Sequence, residues 1–128
     1  MSFKPDNQLE KGLVEAQEGR LPIHAFMEQL LGASLFVPSR TPTGPRGEGL
    51  QPLFFERDGS SMVAVFTAMM RIGKPFTEHA KYCLQIQGDK FLKGLPEGVG
   101  VVINPGHPFG LELPAKGVQE LRNEARGK

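Results

Sequence analysis

The chain has 128 residues and a formal charge of +1, with 39% hydrophobic and 23% charged residues. That balance lies in or near the ordinary globular range rather than that of a disordered chain, and a domain of this length removes roughly two-thirds of its unfolded surface from water, enough for one core. Basic and acidic residues number 6 and 8 over positions 1–64 and 9 and 6 over 65–128, too even for the clustered basic stripe that a nucleic-acid partner requires.

Residues 7–18 read as a helix: Asn7 can cap it, Glu10 stands three residues on as in a capping box, and Leu9, Leu13, Val14 and Gln17 share a face. Gly19 ends it. A second helix starts at Pro22, whose fixed φ suits a first turn, and Ile23, Phe26, Met27, Leu30 and Leu31 recur at helical spacing, which predicts a core face. Ser34–Val37 reads as a short strand stopped by Pro38. The run SRTPTGPRGEG, Ser39–Gly49, is dense in Gly, Pro and charge and predicts a long loop.

Leu53–Glu56 and Met62–Phe66, separated by Arg57-Asp58-Gly59-Ser60, predict a β-hairpin, because an Asp-Gly pair supplies the positive φ of a tight turn. Thr67 is placed to cap a short helix, AMMRI. Tyr82–Ile86 alternates as a strand, and Gly88–Leu95 carries Phe91, Leu92 and Leu95 on one or two helical turns. Val99–Ile103 is nearly all β-branched, the pattern of a central strand covered on both faces. Asn104-Pro105-Gly106 ends it. A strand at Gly110–Leu113 precedes a last helix with Pro114 near its start and Val118, Leu121 and Ala125 on one face.

No internal repeat or second linker divides the chain, so residues 1–128 read as one domain. The element order predicts an α/β (α+β) domain, a mixed sheet of about five to six strands packed against helices. Met62–Met70, the most apolar stretch, is far shorter than the ~20 residues of a membrane-spanning helix. The N-terminal MSFKPDNQLEK lacks an apolar signal-peptide core, and the lone Cys83 has no disulfide partner within the chain. A cytoplasmic protein without membrane or nucleic-acid contact is expected.

Several stretches, taken together and in order, resemble the N-terminal domain of the SseB family, bacterial proteins named for enhanced serine sensitivity. They are Asn7, Leu9-Glu10 and Leu13; Leu35-Phe36-Val37-Pro38; Val65-Phe66-Thr67; and Gly100 to Gly106, GVVINPG. The Phe-Thr and Asn-Pro-Gly stretches are the most distinctive. The resemblance implies a small binding module, linked by the family's name to serine physiology or stress, and carries no catalytic residue set onto these positions. Larger members have a further C-terminal domain.

Reactive constellations are sparse. Cys83 and His79 are the one thiol–imidazole pair, but Cys83 lies in a strand pattern and reads as a buried, inert thiol. His24, His79 and His107 lack local metal-site spacing, and no metal or cofactor is expected. Glu78 and Asp89 read as solvated carboxylates. Gly44-Pro45-Arg46-Gly47-Glu48-Gly49 lacks the Lys-Ser/Thr of a phosphate loop.

The remaining feature is positional. Phe66-Thr67 and Asn104-Pro105-Gly106 follow the C-terminal ends of apolar strands. If those strands run parallel, both turns emerge at the rim where open α/β sheets bind ligands. Thr67, Arg71, Lys74, Asn104, Gly106 and His107 are then candidate ligand-binding residues for a small anion. The competing reading makes Thr67 an N-cap and gives Asn104, Pro105 and Gly106 turn roles only. Phe76 and Phe109 are candidates for a protein-contact patch, and a homodimer is compatible with this pattern. The leading expectation is a non-enzymatic ligand- or protein-binding module. The alternatives are a small-groove enzyme using Thr67, Asn104 and His107, or an antagonist of a toxin or effector.

Overall fold

The protein was obtained as a computed structural model that describes residues 4–44 and 47–126, without the side chains of Ala125 and Arg126. Pro45 and Arg46 of the long loop, and Ala125 of the last helical face, therefore lie outside the described residues. The elements are α1 (Gln8–Gln17), α2 (Ile23–Gly32), β1 (Ser34–Ser39), β2 (Phe54–Arg57), β3 (Ser60–Val65), a 3-10 turn (Met69–Arg71), α3 (Lys74–Thr77), β4 (Tyr82–Gln87), α4 (Gly88–Lys93), β5 (Val99–Ile103), β6 (Leu111–Leu113) and α5 (Ala115–Arg126). This is the mixed α+β class that the element order implies.

Four strands form one sheet in the order β2-β3-β5-β6, with β3 and β5 parallel and Val65 opposite Ile103. The other neighbours, β2–β3 and β5–β6, are antiparallel. β1 and β4 form a separate antiparallel pair that meets the end of β3 through a bridge from Phe36 to Phe66, made by two main-chain hydrogen bonds of 2.9 and 2.8 Å, and the segment leading into β2 through a bridge from Ser39 to Pro52. The expected mixed sheet of about five to six strands is thus divided into one of four and one of two. The rest of the β3 edge is occupied by the hairpin, whose Leu53 carbonyl accepts the Ala64 N–H, so β1 meets β3 only past its end.

One face of the large sheet presents Val63, Val65, Val99, Val101 and Ile103 to a core filled from the helices by Leu9, Leu13, Phe26, Leu30, Leu92, Val118 and Leu121. β5 is buried along its full length, as its β-branched run implies. In α1 the buried residues are Leu9, Glu10, Gly12 and Leu13; Val14 is only half-buried and Gln17 is exposed, its amide oxygen accepting the Gly110 N–H. The predicted face is therefore rotated, to let Glu10 inward. In α2, Phe26, Leu30 and Leu31 are buried, whereas Ile23 is 51% exposed because the first turn projects beyond the core.

Two turns behave differently from the sequence expectation. Pro38 does not stop β1 but lies inside it, opposite Cys83. Phe36 sends its N–H toward β3 and Arg40 sends its N–H to Gln51, so the even-numbered positions face away from β4, and the N–H that Pro38 lacks costs no ladder bond. Thr67 is not a helix cap. Ala68 occupies the N-cap of the 3-10 turn without a side-chain bond, and the Thr67 hydroxyl is used elsewhere. The hairpin turn follows expectation, with Asp58 and Gly59 both at positive φ, 54° and 81°.

The helices are locked by close approach. Gly88 donates its N–H to the Ala33 carbonyl, and a Cβ at Gly88 would overlap the Leu30 carbonyl oxygen, a main-chain atom with no room to yield. Gly88→Ala is expected to lower stability by about 1–3 kcal/mol through overpacking. At Gly32 a Cβ would meet no atom within 4 Å and φ is not positive, so Gly32→Ala is expected to be neutral or stabilising. Urea unfolding of both variants checks the contrast.

Candidate functional site

The parallel β3–β5 pair brings its two following turns to the same rim. Asn104 leaves β5 at φ 56°, a conformation Asn tolerates better than most residues, and its N–H still bonds the Val65 carbonyl at 2.9 Å. Its side-chain oxygen accepts the Thr67 N–H at 3.0 Å and its amide donates to the Thr67 hydroxyl at 2.9 Å. The two turns are thereby joined by reciprocal bonds. Both residues are buried.

The Thr67 hydroxyl donates in turn to the Glu10 carboxylate. Glu10 comes from the first turn of α1, where the Asn7 side chain caps the Glu10 N–H at 2.9 Å and donates its own amide to the Thr67 carbonyl at 2.9 Å. A carboxylate at this third helical position ordinarily reaches back to the start of its own helix. Glu10 does so, accepting the Asp6 N–H at 2.7 Å, but it also points into the protein and is fully buried.

Arg71 neutralises that charge. Its Nε and Nη2 donate to the two carboxylate oxygens at 2.9 and 2.8 Å, a forked pair, and Nη2 also reaches the Lys4 carbonyl. Burial pushes the Glu10 carboxyl upward, but the bonds from Arg71, Thr67 and Asp6 and the charge of Arg71 outweigh it, so Glu10 is held below 4.5. The carboxylate in turn holds Arg71 more firmly protonated. His107 donates from Nε2 to the Arg71 carbonyl at 2.6 Å, closing the ring of contacts.

Four of the six candidate residues, Thr67, Arg71, Asn104 and His107, therefore converge, and Asn7 and Glu10 join them. Gly106, at φ 86°, is exposed in the turn. Together with Asn104 and His107 it borders a shallow depression of about 260 Å³. Lys74 opens α3 and faces solvent. Among the described residues, no buried side-chain nitrogen or oxygen lacks a hydrogen-bond partner.

The other reactive residues are dispersed. Cys83 is half-buried beside β1, and burial pushes its thiol up. His79 is exposed beyond α3, and His24 lies on the surface between Glu28 and Glu124 at 3.6 and 3.8 Å. Glu78 is exposed and the Asp89 carboxylate accepts the Lys90 N–H. Among the described residues, no group of three or more His, Cys, Asp or Glu is placed to hold a metal ion, and no helix is long and apolar enough to cross a membrane.

Two larger clefts flank β2. The first, about 550 Å³, lies between the loop before β2 and α4, on a floor of Leu84, Ile86, Phe91 and Leu95. The second, about 470 Å³, is bordered by Leu53, Phe55, Pro75, Phe76 and Pro105 on the opposite side of the strand. Phe54, 50% exposed, and Arg40 border both. Phe76 stacks edge-on against Phe66 with ring centres 5.2 Å apart, whereas Phe109 packs against the main core. Sequence reading missed these clefts because they form where distant segments meet; the paired Phe54 and Phe55 of an otherwise ordinary hairpin, one exposed and one half-buried, were the available signal.

Removing one partner of a buried ion pair leaves a charge without compensation, so Arg71→Leu is expected to cost about 3–5 kcal/mol, while Glu10→Leu with Arg71→Leu costs much less. Because the folded-state pKa of Glu10 is lowered, its contribution is fully present above its unfolded value near 4.5 and is lost as pH falls through the folded value. Denaturant titrations across this acid range are expected to show a smaller acid loss in the double variant than in the parent chain.

The family model for the SseB protein N-terminal domain matches residues 9–120, a span that includes Glu10, both rim turns and every strand. No curated protein matches the chain. With a family match over most of its length and the rim turns formed by residues inside that match, the chain belongs to the SseB family, through that family's N-terminal domain.

Proposed function

We propose that this domain is a non-catalytic binding module whose contact surface is the pair of clefts around β2, with the rim cluster serving to hold the sheet and α1 in register. The observation that carries the reading is the internal use of Thr67, Asn104, Glu10 and Arg71: each spends its donors and acceptors on the others. A catalytic acid, base or nucleophile needs a face open to substrate. The two buried rim residues have none, and the Arg71 guanidinium is engaged by a carboxylate.

The clefts have the character of recognition surfaces instead. Their walls are mainly apolar and aromatic with a few polar groups at the edge, the usual make-up of ligand sites, and Phe54 offers a large, half-exposed ring of the kind that anchors interfaces. Roles in serine physiology, stress or antagonism of a toxin would all act through such a contact.

Two measurements test the reading. Asn104→Gly preserves the left-handed backbone but removes the bonds to Thr67, and is expected to lower stability by about 1–3 kcal/mol while leaving ligand affinity within twofold. Phe54→Ser is expected to leave stability nearly unchanged and to abolish ligand-induced shifts in melting temperature across a panel of metabolites and peptides. A folded Asn104→Gly protein that has lost turnover of a substrate would reverse the assignment in favour of a rim enzyme.

A further inference from the structure

We propose that the outer edge of β2 accepts an extended, acidic peptide segment of a partner protein as an added strand, with its side chains alternating between the two clefts. This rests on the binding-module reading above and names the occupant.

The geometry of the hairpin decides which main-chain groups are available. Arg57 and Ser60 flank a two-residue turn and are opposite each other in the ladder, so they form the hydrogen-bonded pair that such a turn requires, and the pattern alternates from there. Phe55 opposite Met62 is the next bonded pair, and Leu53 follows, its carbonyl accepting the Ala64 N–H. Phe54 and Glu56 consequently turn their N–H and C=O groups away from β3. β2 is the terminal strand of its sheet, so these four groups form an open edge.

Side chains alternate across the strand, and so do the clefts. Phe55 and Arg57 share one face, with the guanidinium 5.9 Å from the ring centre, and both border the cleft that holds Phe76. Phe54 turns to the other face and borders the cleft floored by Leu84 and Ile86, while its exposed ring also reaches the edge of the second cleft. A strand added outside β2 would place successive side chains on these two faces in turn, each with an apolar pocket waiting. Main-chain bonds would supply affinity and the pockets would supply selectivity.

Charge selects the occupant. The first cleft is bordered by Arg40 and Lys90 and the second by Arg40, Arg57 and His79, with no Asp or Glu among the described residues lining either. Neither Arg40 nor Lys90 enters an ion pair among the described residues. Arg57 meets Glu112 at 3.4 Å, but both are about half exposed, and exposed pairs of this kind contribute little and exchange readily. Glu56, the acid of the strand itself, disfavours pairing with a second acidic residue directly opposite, so the partner's acidic side chains belong at the Arg40 and Arg57 ends with apolar ones between.

The test uses a fluorescein-labelled peptide, EDLFALDE, titrated against the full chain by anisotropy. Binding is expected, with at least tenfold weaker affinity for Arg40→Glu, for the lysine-flanked peptide KKLFALKK, and for EDLFALDE methylated on alternate main-chain nitrogens. Glu56→Pro, which removes an outward N–H and no ladder bond, is expected to weaken binding similarly while circular dichroism stays unchanged. The methylated peptide gives the same information without altering the protein. Equal binding of the methylated peptide overturns strand addition, equal binding of the lysine peptide overturns the charge assignment, and no binding of either overturns the proposal. The binding-module reading fails separately, if Phe54→Ser leaves every ligand-induced melting shift in place.

Discussion

The buried ion pair between Glu10 and Arg71 is the constraint around which the rest of the architecture is arranged. A carboxylate without solvent exposure is tolerable only when its charge is compensated and its lone pairs are used. Here Arg71 supplies the charge, while Thr67 and the Asp6 N–H take up the remaining acceptor capacity. Satisfying one side chain therefore fixes the position of α1 against the end of β3. Asn104 extends the same requirement to β5, and His107 extends it to the loop beyond. The parallel strands bring the turns near each other, and the polar cluster bonds them to one another and to α1.

That arrangement separates two kinds of surface. At the rim, polar groups are numerous but already partnered. Beside β2, the walls are apolar, the cations lie at the edges and the strand keeps an unpaired side. Edge strands are usually shielded from unwanted pairing by brevity and charge, and β2 has both, with four residues that include Glu56 and Arg57. Such an edge resists indiscriminate association.

Much of the fold was legible in the sequence because its strongest signals are local. Val99–Ile103 declared itself by its β-branched run, the hairpin by Asp58-Gly59, and α2 by Phe26, Leu30 and Leu31. The convergence of Thr67 and Asn104 was also accessible, since two strands running in parallel deliver their following turns to one rim. What those residues do there was not. A glutamate at the third position of a helix reads as a surface cap, and the arginine that draws Glu10 inward lies 61 residues away. Thr67 likewise reads as a cap until the distant carboxylate claims its hydroxyl. Pro38 reads as a strand terminator unless the direction of its missing N–H is known. Each misreading arises from a long-range partner that local pattern does not encode, and the clefts around β2 were hidden for the same reason.

The distance between the members of the rim cluster also bears on synthesis. Within this domain α1 is made before the guanidinium that neutralises its inward carboxylate, which follows at residue 71, and before the amide that ties β5 to the cluster, which follows at residue 104. Until then the first helix carries a charge it cannot bury and is better left in water than docked. Docking of α1 therefore follows the synthesis of the segment around Arg71, and the full cluster follows that of Asn104.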